Sequence, residues 1–191
     1  MLVSHPKKIR YIAEACIKTG QVDSQALAEL LRLNSLPESY VPPLHITVLW
    51  EKVRRRAFLV REQILFKVKI RSILAHEGIK PPKKYGMFTR KGRECLRGLG
   101  LEPVDCYLRL MAPLRKEIRL LSLELRHIAA NDEDIRLLTT ILGVGYYIAV
   151  LVKAEIGDIN RFRTGDQLAS YAGLAPSTFT SVGFTRHSRI T

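Results

Sequence analysis

The fold follows from one segment, Leu138-Thr139-Thr140-Ile141-Leu142-Gly143-Val144-Gly145-Tyr146-Tyr147-Ile148-Ala149. Apolar residues three apart precede a Gly-Val-Gly corner and a second apolar run follows it, which predicts a helix-hairpin-helix. Gly143 is expected to take the left-handed conformation that ends the first helix, because it has no Cβ. Gly145 would let a partner backbone approach the amides that open the second helix at Tyr146. Such amides suit a phosphate oxygen, although an ordinary helical turn explains the motif equally well.

The residues after this corner predict a small C-terminal helical unit. The second helix is expected to end between Ala154 and Phe162. Thr164 and Gln167 have the spacing of a capping box for a short helix, which Gly173 would end. A polar, basic loop is expected after that helix.

Residues 138–191 resemble the C-terminal domain of the DEDD-type insertion-sequence transposases, which are related to the Piv-type DNA invertases. The matching segments are Gly143-Val144-Gly145, Glu155-Ile156-Gly157-Asp158, Arg161-Phe162, Gln167 to Pro176, and Ser181 before Gly183. Members of this family join this domain to a ribonuclease-H-like domain and use a bridge RNA. The resemblance therefore implies DNA as the substrate, DNA strand cleavage and joining in transposition as the reaction, and RNA as a further partner.

The resemblance also implies catalytic residues. Ser181 matches the serine that family members use as the nucleophile on a DNA phosphodiester. Asp23 matches one of four metal-binding carboxylates, but Gly20 stands where the resemblance places another. Mg²⁺ is thus implied for a complete family member, and this chain alone is not expected to hold it stably, since divalent cations need several oxygen ligands. Asp23 would otherwise serve as a helix cap.

Charge points to a polyanionic partner. Lys and Arg number 31 against 18 Asp and Glu, a formal net charge of +13, and the isoelectric point is about 10.0. Nucleic acid is the first candidate. The sequence nominates Arg54, Arg55, Arg61 and Arg186 for DNA contacts, together with the corner Gly143–Tyr146; a solvated helix face is the alternative for the first three. No membrane partner is expected, because no apolar run reaches the roughly 20 residues that a bilayer requires. Three unpaired cysteines fit a reducing cytoplasm.

The predicted fold is mainly α, in three parts. Residues 1–43 are expected to be a remnant of the ribonuclease-H-like domain, residues 44–130 a coiled-coil arm with a basic connector at 78–100, and residues 131–191 a C-terminal transposase domain truncated at its end. The arm would consist of antiparallel helices over 44–77 and 104–130, with a short helix near 92–99 between them. The predicted apolar seam of the first long helix is Ile46, Leu49, Val53, Ala57, Val60, Ile64 and Val68. The second long helix has a heptad seam that could also be shared with a second copy of the chain, formed by Leu114, Ile118, Leu121, Leu125 and Ile128.

Two functions remain open on the sequence. The first is a transposase, partial or inactive by itself, with Ser181 and Asp23 as what is left of its catalytic groups. The alternative is a helical remnant that binds nucleic acid without chemistry, which the glycine at position 20 favours. Whether the chain is an enzyme therefore stays undecided at this point.

Overall fold

The computed structural model describes residues 3–4, 20–36, 39–80, 85–175, 178–181 and 184–187. The chain divides into two compact units, Met1–Pro43 and Leu44–Thr191. The described part of the first unit contains helix α1, Gly20–Arg32. The second unit contains the remaining helices and strands: α2 Leu44–His76, α3 Arg90–Arg97, α4 Glu102–Asn131, α5 Glu133–Leu138, α6 Tyr146–Ile156, α7 Gly165–Tyr171, β1 Thr178–Ser181 and β2 Phe184–His187. The mainly α fold predicted from the sequence is confirmed.

The two long helices α2 and α4 pack against each other in opposite directions and form an arm. Leu49 and Val53, near the start of α2, share a core with Leu125 near the end of α4. Ile70, near the end of α2, shares a second core with Leu108 near the start of α4. The observed bounds lie within two residues of the predicted ones. Helix α4 also runs through Pro113 without interruption.

Each end of the arm has its own core, and each core includes a shorter helix. The core at the end of the arm that contacts α5 and α6, which we call the hairpin-end core, contains Leu49, Val53, Leu125, Ala129, Ile135, Ala149, Val150 and Ala154. The core at the opposite end, which contacts α3 and which we call the connector-end core, contains Ile70, Leu74, Leu96, Val104, Leu108 and Met111. Helices α5 and α6 therefore close one end of the arm, and α3 closes the other.

The predicted seam of α2 is correct only in its first half. Ile46, Leu49 and Val53 are buried, but Ile64 and Val68 are half exposed, at 50% and 49%. Ile70 and Leu74 are buried in their place. The apolar side chains of α2 lie on several of its faces. Periodicity alone therefore does not identify the face that α4 and α3 cover.

The loop predicted after α7 is instead an antiparallel hairpin of two four-residue strands. Thr178 pairs with His187, and Ser181 pairs with Phe184. The alternating β-branched and aromatic residues of these strands, separated by the two-residue Val-Gly connection, are typical of such a hairpin.

Candidate nucleic-acid interface

The corner between α5 and α6 is built from local hydrogen bonds. Asp132 caps α5, its Oδ1 accepting from the Ile135 amide at 3.0 Å. The hydroxyls of Thr139 and Thr140 then donate to carbonyls one turn back. Gly143 follows with φ +88°, which confirms the predicted left-handed conformation. Its predicted place was wrong, because α5 already ends at Leu138 and Gly143 lies within the turn that follows.

The amides that open α6 face no acceptor among the described residues. Gly145 is the N-cap of α6 and offers no side-chain oxygen to the first turn. The Ala149 amide donates to the Gly145 carbonyl at 3.0 Å, whereas the amides of Tyr146, Tyr147 and Ile148 precede this first helical bond. These three donors lie at the positive end of the helix dipole and are available to an anion.

The corner is open on its outer side. Gly143 and Gly145 are exposed, and neither has any heavy atom within 4 Å of the position that a Cβ would occupy. Leu142 is fully exposed, at 102%. Val144 and Tyr146, in contrast, are half-buried against the hairpin-end core and fix the corner in place. The backbone of the corner is therefore accessible, while two of its side chains are structural.

A cation that the sequence did not nominate lies beside this corner. The Arg126 guanidinium, on α4, is 4.9 Å from the centre of the Tyr146 ring. Arg126 is exposed and has no ion pair among the residues that the structure describes. No local motif marks this arginine, because the packing of α6 against α4 is what brings it to the corner.

The arginines nominated on α2 differ in their interaction partners. Arg54 pairs with Glu155 of α6 at 2.9 Å and lies 4.1 Å from the Trp50 ring. Arg61 lines the same cleft of about 350 Å³, between α2 and α6, and has no carboxylate partner in the described part of the chain. Arg55 is exposed. Tyr147 also lines the cleft, and its hydroxyl donates to the Val53 carbonyl at 3.2 Å.

Two of the nominated residues, Ser181 and Arg186, lie in the strands of the C-terminal β hairpin. Ser181 is the last residue of β1, directly before the two-residue connection to β2. Arg186 pairs with Phe179 across the hairpin. The connection itself, residues 182–183, lies outside the described residues.

Asp23 lies inside the first turn of α1, so it is not the helix cap that the sequence allowed. Its Oδ1 is buried and has no hydrogen-bond partner among the described residues. A Cβ on Gly20, one turn earlier, would meet nothing within 4 Å. In the described ranges no group of three or more His, Cys, Asp or Glu side chains could hold a metal ion. The described residues thus do not supply a ligand set for Mg²⁺.

Fold and charge define a basic, mainly helical protein with an exposed helical corner. Its sequence is similar to those of known proteins. Residues 135–191 match the model of the transposase IS116/IS110/IS902 family. The transposase for insertion sequence element IS1111A of Coxiella burnetii is 40% identical over 58 residues, which are 30% of this chain and 16% of that protein. A "probable family 20 transposase" of Pseudomonas aeruginosa is 27% identical over 187 residues, 88% of this chain and 52% of that protein.

These similarities relate the chain to the transposases of insertion sequences. The family match begins within α5 and covers α6, α7 and the β hairpin, so the corner and Ser181 both lie within it. The chain spans about half the length of the Pseudomonas relative. Among the described helices, none is long and apolar enough to cross a membrane.

Proposed function

We propose that this chain is a DNA-binding transposase of an insertion sequence, which grips a DNA backbone at the α5–α6 corner and uses Ser181 as the nucleophile in strand cleavage and joining. The observation that carries the proposal is the family match over residues 135–191, the segment that contains both groups. The exposed corner and the net charge of +13 support it.

The corner suits a phosphate for three reasons. The amides of Tyr146, Tyr147 and Ile148 offer donors without competing acceptors in the described structure. Gly145 leaves room for a backbone to approach, since nothing lies near its missing Cβ. Arg126 adds a full positive charge beside Tyr146. Backbone amides at a helix start, supplemented by an arginine, are a common way to hold a phosphate without reading its sequence.

Gly145→Ala tests this use of the corner. Alanine is compatible with the φ of −81° at position 145, so the fold should survive. The added methyl group would stand where a DNA strand approaches, and we expect duplex binding to weaken about tenfold in a fluorescence-anisotropy titration. Gly165→Ala serves as the control, because it adds the same methyl group in free space at the start of α7, outside the corner. Equal affinity of Gly145→Ala and the wild-type chain would contradict the use of the corner.

The proposed chemistry is a transesterification. The Ser181 oxygen forms a bond to phosphorus while the bond to one sugar oxygen breaks, so the chain becomes covalently joined to one DNA end. The released sugar oxygen takes up a proton, and the serine hydroxyl gives one up to a base. Such a step stores the energy of the phosphodiester for later joining.

The reaction is tested with supercoiled DNA carrying the ends of a family element, Mg²⁺ and the cognate RNA. We expect a covalent adduct on a denaturing gel that is lost in Ser181→Ala and retained in Thr180→Ala, the preceding residue of the same strand. An adduct that survives Ser181→Ala would exclude this serine as the nucleophile.

The second candidate function is nucleic-acid binding without chemistry. It is favoured by Gly20, because the resemblance implies a carboxylate at this position. It predicts tight, salt-sensitive DNA binding with no adduct under any of these conditions. Since space is free around Gly20, Gly20→Asp should fold, and a gain of adduct in that variant would favour the transposase.

Two partners belong to the same proposal: a bridge RNA, which the resemblance implies, and a second copy of the chain, which the apolar faces of the arm suggest. A bridge RNA would bind the basic surface, and a second copy of the chain would cover apolar residues that the arm leaves exposed. These residues are Phe58, Ile64, Leu120 and Leu123, all 45% exposed or more. Light scattering of the purified chain should give a dimer that Phe58→Glu converts to a monomer; a monomeric wild-type chain at micromolar concentration would contradict the second copy.

A further inference from the structure

Four cations from three helices converge on Phe88, in the connector at the far end of the arm. The Phe88 carbonyl accepts from Arg93 Nη1 and from Arg115 Nη2, both at 2.7 Å. The Phe88 ring has Lys67 Nζ 5.7 Å and Arg71 Cζ 5.5 Å from its centre. We call these four residues, Lys67, Arg71, Arg93 and Arg115, the Phe88 cluster.

No carboxylate balances this charge within the described structure. None of the four cations takes part in an ion pair there. Six basic side chains elsewhere in the described ranges do pair with carboxylates, namely Arg32, Lys52, Arg54, Arg90, Arg109 and Lys153. The sequence from Gly78 to Arg93 contains no Asp or Glu and adds Lys80, Lys83 and Lys84. The cluster is therefore an excess of positive charge that no ion pair among the described residues offsets; Glu94, the acidic residue of the connector, pairs with Arg90 instead.

The cations also act on one another. Burial lowers the pKa of Lys67, and the charges of Arg115 and Arg71 lower it further. Burial and the charge of Arg93 lower the pKa of Arg115. The folded structure thus holds these side chains close together in spite of their repulsion, instead of letting them spread into solvent.

The backbone of the connector holds this arrangement. Thr89 caps α3, its hydroxyl oxygen accepting from the Gly92 amide at 3.3 Å. A Cβ on Gly92 would come within 2.4 Å of the Gly86 and Met87 carbonyl oxygens, so the chain is packed tightly immediately beside Phe88. A guanidinium has five N–H donors, and one shared carbonyl oxygen accepts only a few of those on Arg93 and Arg115. The remaining donors suit the oxygens of a phosphate.

We propose that the Phe88 cluster is a second phosphate-binding site for duplex DNA. This inference rests on the proposed DNA-binding function and adds a contact that the family match, which begins at residue 135, does not include. A backbone contact is favoured over base stacking, because the Phe88 ring is covered by cations and packs against the connector-end core.

The spacing of the two sites fits a duplex that lies along the arm. Tyr147, in the first turn of α6, contacts α2 at Val53. Lys67 and Arg71 follow Val53 on the same helix, about 21–27 Å further along its axis at 1.5 Å per residue. Successive phosphates of one strand lie about 3.4 Å apart along the duplex axis, so roughly 6–8 base pairs separate the two sites.

The test compares two variants that each remove one lysine and one arginine. Lys67→Gln with Arg71→Gln removes the half of the cluster that makes no hydrogen bond to the backbone. As the control, Lys69→Gln with Arg119→Gln removes two exposed cations outside the cluster, one on α2 and one on α4. With a 20-base-pair duplex, we expect the cluster variant to bind at least tenfold more weakly and the control variant less than threefold. The slope of log affinity against log salt should fall by about 1.8 in the cluster variant, at 0.9 for each lost phosphate contact.

Equal losses in the two variants would overturn the second site while leaving DNA binding at the corner intact. A 6-base-pair duplex is too short to reach both sites. The second site would be supported if the wild-type chain binds this short duplex more weakly than the long one and if the two variants bind the short duplex equally well. A cluster dependence confined to an RNA hairpin would overturn the assignment to DNA. Absence of any salt-sensitive binding by the wild-type chain would contradict the proposed function as well. Circular dichroism checks that both variants fold.

Discussion

The basic side chains at the two ends of the arm have different interaction partners. At the hairpin end, Lys52 pairs with Glu124 and Arg54 with Glu155, both at 2.9 Å. Lys153 pairs there with Asp134 and lies 3.8 Å from Asp132. At the connector end, the four cations of the Phe88 cluster meet one carbonyl oxygen and one aromatic ring, with no acidic partner in the described structure.

This difference shows that a count of basic residues does not locate a binding surface. The run Arg54-Arg55-Arg56 is the densest basic segment of α2, yet Arg54 is ion-paired, and Arg56 donates to Ser122 and stacks on Tyr147. A cation that is already paired must lose its partner before it can hold a phosphate. The positions available to a polyanion are therefore those that folding leaves without carboxylates.

The largest effect is expected from Gly92→Ala at the connector end. Its Cβ would meet backbone oxygens at 2.4 Å, so the connector must shift, and we expect a loss of about 2–3 kcal/mol in the free energy of unfolding. Duplex binding should weaken too, since Phe88 moves with the connector. Gly98→Ala is the control, because its nearest contact would be an ordinary 3.4 Å. Urea denaturation measures both; equal stability of the two variants would show that the tight packing is absent.

A smaller effect is expected from Gly143→Ala at the hairpin end. The residue has φ +88° but free space around it, so the cost arises from the backbone conformation alone, about 1–2 kcal/mol. Gly145→Ala should cost only about 0.5 kcal/mol, the difference between glycine and alanine at a helix N-cap. Thermal unfolding of the two variants side by side gives this order. The reverse order would mean that the turn has a different conformation.

Arg54→Gln should change stability less than either glycine variant. The side chains of Arg54 and Glu155 are 56% and 38% exposed, and ion pairs at the surface contribute about 0.2–1 kcal/mol. Duplex affinity should change less for Arg54→Gln than for Arg61→Gln, which lines the same cleft without an acidic partner. A greater loss of DNA affinity in Arg54→Gln than in Arg61→Gln would contradict the expectation that unpaired cations bind DNA more strongly than paired ones.

Lys67→Met should stabilise the free protein slightly. Because burial and two nearby arginines lower the pKa of Lys67, folding disfavours its charged form. Its contribution is therefore unfavourable below the lowered pKa and improves as the pH rises through that value toward 10.5. Methionine keeps the aliphatic stem and removes the charge. The urea midpoint at pH 7 and low salt should rise relative to wild type, and the gap should close at high pH; a lower midpoint would show that the cluster is not under repulsion.

The sequence predicted the helices well and their contacts less well. Apolar periodicity placed α2 and α4 within two residues, and the spacing of Thr164 and Gln167 identified the cap of α7. In that cap, Gln167 accepts from the Arg163 amide, one residue before the predicted position. Local patterns determine where a helix begins and ends, so these features could be found without a structure.

Tertiary packing explains what the sequence did not predict. Periodicity selected Ile64 and Val68 for the seam of α2, because it could not indicate where α3 and α4 would lie. The Phe88 cluster joins residues that are up to 48 positions apart, from Lys67 to Arg115, and no spacing rule connects them. Arg126 reaches the corner through the packing of α6 on α4. The alternating residues around Ser181, in contrast, are typical of a β hairpin, although the polar, basic composition of this segment predicts a loop.

An amide NMR titration of the wild-type chain with duplex DNA tests most directly whether the corner between α5 and α6 binds a phosphate. We expect the signals of the Tyr146, Tyr147 and Ile148 backbone amides to shift early in the titration and to return when salt is added, because these amides donate to a phosphate. DNA binding that leaves the three signals unmoved would contradict phosphate binding at this corner.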